Sequence, residues 1–122
     1  MTANTSLPLD VETMRASAYR LLATDAAVPS VEELHTLMLM LKGHLALIIP
    51  ELGRAASARR GDDTLTRADA RMAISETCRK VRIKPGPALS AHIAYARRLS
   101  RSLNALCDHY EKLCGAYPAA GQ

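Results

Sequence analysis

The C-terminal third of the chain carries the most restrictive pattern, a spacing of apolar residues by three and four positions that runs over residues 89–113. The positions are Leu89, His92, Ala96, Leu99, Leu103, Leu106, Tyr110 and Leu113. This spacing places every one of these side chains on one face of an α-helix, whereas side chains of a β-strand alternate with a period of two. Pro87 suits a first helical turn and Gly115 suits a helix end. We therefore expect a helix over residues 87–114.

A second long helix is predicted over about residues 31–60. Ser30 and Glu33 have the spacing of a capping box, in which Ser30 caps the helix and Glu33 reaches back to the Ser30 amide. The apolar stripe that follows consists of Leu34, Met38, Leu41, Leu45, Ile48 and Leu52. Pro50 lies inside this stripe and cannot donate to the carbonyl of Ala46, so we expect a kink there.

Two shorter helices complete the chain. Asp10 is a candidate N-cap for the first, and Gly61-Asp62-Asp63 separates the second from the third. The inward residues of the first are predicted to be Val11, Met14, Ala18, Leu21 and Leu22, and those of the third Leu65, Ala68, Met72, Cys78 and Val81.

The composition favours a helical fold, because four Val, five Ile and no Phe or Trp are too few strand-forming residues for a sheet. The 122 residues suffice for one core. We predict an all-α, up-and-down four-helix bundle over residues 10–115, with a disordered tail at 1–9 and another tail at 116–122. A core of Leu, Ile, Met and Ala buries little area per side chain, which suggests that a second subunit covers part of one long helix.

The charge differs between the two halves of the chain. Residues 1–53 carry three basic and six acidic side chains, whereas residues 54–122 carry thirteen basic and six acidic ones. The basic half indicates an anionic ligand or an acidic partner, or else a solvated helical surface rich in arginine. The chain has no run of basic residues with interleaved aromatics, so we expect no binding to nucleic acid.

The location of the protein is predicted from three features. Residues 1–9 lack the basic start and apolar core of a signal peptide, and the longest uncharged apolar run, residues 45–50, is too short to cross a bilayer. Cys107 and Cys114 lie about 10 Å apart by helical rise, beyond the reach of a disulfide. We expect a soluble, reduced, cytoplasmic protein that does not bind a membrane.

Candidate site residues lie on both long helices. His44 and Glu51 share a face of the second helix, either as an acid–base pair or as half-buried flanks of the apolar stripe. On the last helix, Arg97 and Arg101 are spaced to clamp an oxyanion, with Asn104 and Asp108 orienting them. Together with Glu111, the same residues also fit a solvated ion-pair surface.

Cys107, Asp108 and His109 are consecutive, so their side chains point about 100° apart on a helix and cannot converge. A nucleophilic site would need partners from other helices, such as His44, and Cys107 otherwise fits a small core residue. No Glu-x-x-His pair and no glycine-rich phosphate loop is present. We therefore expect no metal and no cofactor.

Three segments carry a resemblance to a known family: residues 42–51 (KGHLALIIPE), 94–102 (AYARRLSRS) and 106–113 (LCDHYEKL). Together they resemble a family of small uncharacterised-domain helical proteins of actinomycetes that is associated with natural-product biosynthesis. The likeness extends over about residues 10–114.

Some relatives in that family resemble the small subunit of a two-protein enzyme that closes an aziridine ring by displacing sulfate from an amino acid held on an amino-group carrier protein. The resemblance implies that His44, His109 or Asp108 takes the ammonium proton and that Arg97 or Arg101 binds the departing sulfate. It also implies that a larger subunit can supply this chemistry instead.

Two hypotheses follow. In the first, the chain is the small, non-autonomous subunit of a hetero-oligomeric biosynthetic enzyme, paired with a larger catalytic subunit. In the second, it is a non-enzymatic interaction or regulatory module that binds an acidic partner through residues 79–101.

Overall fold

The computed structural model describes residues 9–58 and 64–114, and within these ranges the chain forms four α-helices and no strand. They are α1 (Val11–Leu22), α2 (Val31–Ala58), α3 (Thr64–Arg82) and α4 (Leu89–Cys114). The predicted all-α bundle with two long helices is confirmed. Residues 1–8 of the predicted tail at 1–9, the predicted tail at 116–122 and the break at 61–63 lie outside the described residues. Leu9, placed in the first tail, is half-buried against the core. The single-domain assignment stays a prediction.

Successive helices run antiparallel. Along α1, Ser17 contacts His44 and the later residue Arg20 contacts the earlier residue Glu33 of α2. The same up-and-down order continues through α3 and α4, so that α2 and α4 run parallel through the centre of the bundle. Within the described ranges, α1 and α3 pack against α2 and α4 but not against each other.

The core is formed chiefly by facing stripes of α2 and α4. The buried apolar residues of α2 are Leu34, Leu37, Leu41, Leu45, Ile48, Leu52 and Ala56, and those of α4 are Tyr95, Ala96, Leu99, Leu103, Leu106, Cys107 and Leu113. Helix α1 adds Met14, Ala18 and Leu21. The predicted stripes of these helices are thus largely the core, with Met38 and Tyr110 half-buried against it.

The predicted inward face of α3 is wrong at its first three positions, whereas Cys78 is half-buried and Val81 packs against the core as predicted. Leu65 and Met72 are 77% and 63% exposed, and Ala68 is also exposed. The inward positions of α3 are Ala70, Ala73, Ile74, Thr77 and Val81, which also follow spacings of three and four. Small residues prevail on this face, and the larger Leu65 and Met72 lie outside the core.

The helix ends differ from expectation at two places. The Ser30 hydroxyl accepts from the amide of Glu33 (3.1 Å) as predicted, but the Glu33 carboxylate pairs with Arg20 of α1 (2.8 Å) instead of closing the capping box. Pro87 lies before α4, whose first turn begins with the carbonyl of Ala88 accepting from the amides of Ala91 and His92. The predicted Asp10 cap is confirmed, because Asp10 accepts from the amide of Thr13 (3.1 Å).

Helix α2 continues through Pro50 to Ala58, the last described residue before the 59–63 gap. The proline therefore does not end the helix, and the predicted kink stays a prediction. By length and composition alone, α2 is also apolar enough to cross a membrane, a property that core helices of soluble proteins share. Its stripe from Leu34 to Leu52 packs in the core of this bundle.

Replacing Pro50 by alanine is expected to raise the free energy of unfolding by about 1–3 kcal/mol, because residue 50 would gain an N–H for the carbonyl of Ala46 and lose a ring clash. Pro50 is exposed, so little packing would be lost. Gly53→Ala is the matched control: its added Cβ would meet nothing within 4 Å, and a gain below about 1 kcal/mol is expected. Urea denaturation followed by circular dichroism measures both, and a destabilised Pro50→Ala chain would contradict the argument.

Candidate functional site

His44 lies at the contact between α2 and α1. Its Nε2 atom is 3.2 Å from the hydroxyl of Ser17, which is also 3.2 Å from the carbonyl of Thr13. His44 therefore joins α2 to α1 through its contact with Ser17.

Glu51 does not contact His44. Its carboxylate pairs with Arg54, one turn later on α2. Glu51 also lies near Tyr110 of α4, whose pKa is raised mainly by burial and by a hydrogen bond with Cys114, with a smaller contribution from the Glu51 charge. The predicted pair is thus divided between two different environments.

Asp108 and Glu111 share one cation from α1. The Arg15 guanidinium donates to Asp108 at 2.7 Å and to Glu111 at 2.8 Å. Asp108 therefore holds the start of α1 against the end of α4, and it is bonded to neither Arg97 nor Arg101. His109, half-buried beside it, makes no hydrogen bond or ion pair within the described part of the chain.

Arg97 and Arg101 turn towards different neighbours. Arg97 donates from Nε to the carbonyl of Leu21 at the end of α1 (3.3 Å), where a cation offsets the negative end of the helix. Arg101 lines a cleft of about 180 Å³ between α3 and α4, together with Glu76, Lys80 and other residues. The described structure thus does not bring the two guanidinium groups to one anion.

Asn104 and Ser100 place polar atoms inside the bundle. The Asn104 Oδ1 and Ser100 Oγ atoms are buried without a hydrogen-bond partner among the described residues. They lie one turn apart on α4, and Ser100 is completely buried. Asn104 therefore does not orient Arg101 through a hydrogen bond.

Cys107 is buried in the core, and burial raises its pKa to about 11, opposed in part by the nearby Arg15 cation. At pH 8 only about one thiol in a thousand would be ionised, too few for efficient nucleophilic attack. The predicted alternative, a small core residue, describes the position that Cys107 occupies.

Iodoacetamide at pH 8 is therefore expected to modify the exposed Cys114 quickly, the half-buried Cys78 more slowly, and Cys107 only after denaturation. Peptide mass spectrometry against time provides the three rates. Modification of Cys107 in the folded protein as fast as that of Cys114 would show that Cys107 is a reactive thiol.

The outer side of α2 is an exposed apolar surface. We define the outer α2 face as Leu39, Met40, Gly43, Ala46, Leu47 and Pro50, all of which are exposed and uncharged. Leu39 and Leu47 are 61% and 57% exposed, although the opposite side of the same helix is buried. Between Glu33 and Glu51 the helix carries one permanent charge, Lys42, and this was the sequence signal for a helix with two apolar sides.

Gly43 lies in the middle of the outer α2 face, and no contact within the described residues requires a glycine there. A Cβ at this position would meet nothing within 4 Å. Glycine inside a helix is destabilising relative to alanine by about 0.5–1 kcal/mol. A residue without a side chain at an exposed position does, however, allow another backbone to approach closely.

Two clefts open beside the outer α2 face. The first, about 460 Å³, lies between the starts of α2 and α4 and is lined by Val31, Leu34, His35, Met38, Leu39, Lys42, Pro87, Leu89 and His92. The second, about 320 Å³, lies between α2 and the end of α3 and is lined by Lys42, Leu45, Ala46, Ile49, Cys78, Val81 and Arg82. His92, predicted to be a core residue, is half-buried in the wall of the first cleft.

A comparison of the sequence with known protein families identifies the family of this chain. Residues 12–115 match a protein family of unknown function, DUF6415. The chain belongs to this family. The DUF6415 region starts one residue into α1 and ends one residue after α4, so the bundle and both clefts lie within it. No curated protein and no solved structure matches the chain.

The cations of this DUF6415 bundle are paired unevenly. Arg15, Arg20 and Arg54 of the first two helices form ion pairs. The cations at the end of α3 and along α4 form none within the described ranges; they are Arg79, Lys80, Arg82, Lys84, Arg97, Arg98, Arg101 and Lys112. In residues 9–58 and 64–114 no group of three or more His, Cys, Asp and Glu side chains is placed to hold a metal ion.

Proposed function

We propose that this DUF6415 chain is the small helical subunit of a hetero-oligomeric enzyme and that it binds a larger catalytic subunit through the outer α2 face. The observation that carries the proposal is the exposure of Leu39, Met40 and Leu47 on a helix whose opposite side already fills the core. Apolar patches of this kind on soluble proteins mark sites of protein association.

The division of labour follows from the positions of the candidate catalytic residues. His44 contacts Ser17, and Asp108 contacts Arg15. His109 forms no hydrogen bond or ion pair with His44 or Asp108. A general acid or base must lie within hydrogen-bond reach of the group that it serves, so these residues do not form a site by themselves. In the proposal, the larger subunit supplies most of the catalytic groups.

The finer assignment rests on the resemblance of residues 42–51, 94–102 and 106–113 to proteins of natural-product biosynthesis. We propose on that basis a cytoplasmic complex that closes an aziridine on a carrier-bound amino acid. The neutral amine nitrogen attacks the carbon that bears the sulfate ester, the carbon–oxygen bond breaks, and sulfate leaves with the electron pair. A base of the complex takes the proton that the nitrogen loses. In this proposal, Arg97 or Arg101 of α4 would bind the departing sulfate.

Co-expression with the product of the neighbouring gene tests the assembly. A stoichiometric complex at micromolar concentration supports the proposal, and two separate proteins at that concentration refute it. Release of free sulfate by the complex, absent with either protein alone, tests the finer chemistry. A stable complex without sulfate release would retain the subunit assignment and remove the aziridine reaction.

A second candidate, a regulatory module that binds an acidic partner, is favoured by the unpaired cations over residues 79–101. Such binding would weaken steeply with salt, because it depends on exposed charges. The double variant Arg97→Ala and Arg101→Ala would reduce the affinity for the acidic partner further. A complex that survives high salt and both substitutions would favour the enzyme subunit over this module.

A further inference from the structure

We infer that the two clefts beside α2 form one groove that holds an acidic amphipathic helix of the larger subunit. This inference rests on the proposed function, since it assigns the bound helix to that partner. The clefts share Lys42, and together they follow α2 from Val31 to Ile49, a length of about 27 Å. We call this surface the α2 groove.

The walls of the α2 groove are apolar at successive helical turns. The α2 side chains that line it follow spacings of three and four residues; they are Val31, Leu34, His35, Met38, Leu39, Lys42, Leu45, Ala46 and Ile49. The ends of α3 and α4 provide the opposite wall, including Val81 and Leu89. A groove of this shape suits a helix that presents apolar residues at positions i, i+3, i+4 and i+7.

The permanent charges in the groove are both positive. Lys42 and Arg82 line it, and none of its lining residues is Asp or Glu. The Lys42 ammonium lies 5.8 Å from the centre of the Tyr95 ring and has no carboxylate partner in the described structure. Arg82 likewise forms no ion pair there. A helix with complementary charge would therefore carry Asp or Glu beside the apolar residues that enter the groove.

The Tyr95 ring beside Lys42 is held in a fixed position. Tyr95 is buried, and its hydroxyl donates to the carbonyl of Val81 at 2.6 Å, which joins α4 to the end of α3. Within residues 9–58 and 64–114, no carboxylate forms an ion pair with Lys42 or Arg82. The acidic helix is accordingly assigned to a partner.

The test uses two fluorescein-labelled helical peptides of about 18 residues that share leucines at i, i+3, i+4 and i+7. One carries Glu at the remaining charged positions and the other Lys. Fluorescence anisotropy at low salt is expected to show at least about tenfold tighter binding of the Glu peptide. Equal binding of both peptides, or none of the Glu peptide, would overturn the inference.

Charge reversal locates the binding site. The double variant Lys42→Glu and Arg82→Glu is expected to bind the Glu peptide at least about tenfold more weakly than the wild-type chain. The matched control, Arg71→Glu and Lys112→Glu, makes the same change in net charge outside the groove and should change binding less than about threefold. Circular dichroism confirms that both variants are folded. An equal loss in both variants would show nonspecific attraction and contradict the groove.

Other outcomes separate this inference from the proposed function. The chain could instead form a homodimer that the Lys42→Glu and Arg82→Glu double variant dissociates. That result would assign the groove to a second copy of the chain and overturn the assignment of an acidic helix. If the larger subunit binds through the outer α2 face but the Lys42→Glu and Arg82→Glu double variant binds it normally, the groove assignment fails alone. If no larger subunit binds and the Glu peptide still does, the proposed function fails alone.

Discussion

Replacement of Leu103 by alanine is expected to lower the free energy of unfolding by about 2–5 kcal/mol. Leu103 is completely buried on α4, in the part of the bundle where α2 and α4 face each other. Removal of the side chain loses its apolar burial and leaves a cavity that packed helices fill only in part. Because small domains are stable by only about 5–15 kcal/mol, this single change removes a large share of the stability.

Leu65→Ala provides the matched control, since it makes the same chemical change at a leucine of α3 that is 77% exposed. A change within about 0.5 kcal/mol is expected there. Urea denaturation of both variants, with a common slope against urea concentration, measures the two effects. A larger loss at Leu65 than at Leu103 would mean that the packing of α3 and α4 differs from the structure described.

The contrast between these two leucines also shows what helical spacing can and cannot predict. On α4 the apolar residues occupy a single stripe, so the stripe identifies the core. On α3 two sets of residues have the required spacing, so spacing alone does not decide which set packs inward. Leu65 and Met72 were therefore misplaced, whereas Leu99 and Leu103 were not.

The contacts of the candidate site residues were harder to predict than the core, because they join residues that are far apart in the sequence. The partner of Asp108 is Arg15, separated from it by 93 positions, and helical spacing relates only residues three or four apart. For the same reason, the sequence predicted Arg97 and Arg101 as a clamp, and the structure turns Arg97 towards Leu21. The outer α2 face was missed because one apolar stripe had already accounted for that helix.

Leu47→Glu is expected to weaken binding of the larger subunit by at least about thirtyfold, or about 2 kcal/mol. Leu47 is 57% exposed on the outer α2 face and would be buried at the proposed interface. A carboxylate placed there loses its hydration without gaining a partner, which opposes association. The fold itself should be little affected, because the substitution is at an exposed position and glutamate favours a helix.

Leu65→Glu is the control for the binding experiment, because it introduces the same charge at an exposed leucine outside α2. Isothermal titration calorimetry of the purified larger subunit against wild-type, Leu47→Glu and Leu65→Glu chains yields the three affinities. An affinity of the Leu47→Glu chain within about threefold of the wild type would exclude this residue from the interface.

The most direct test of the docking proposal is the mass of the co-expressed assembly, measured by size-exclusion chromatography with light scattering. The proposal predicts one complex of this chain with the larger subunit, formed equally by the wild-type and Leu65→Glu chains and lost with Leu47→Glu. A wild-type chain that elutes apart from the larger subunit at micromolar concentration would contradict it, as would a Leu47→Glu chain that forms the complete complex.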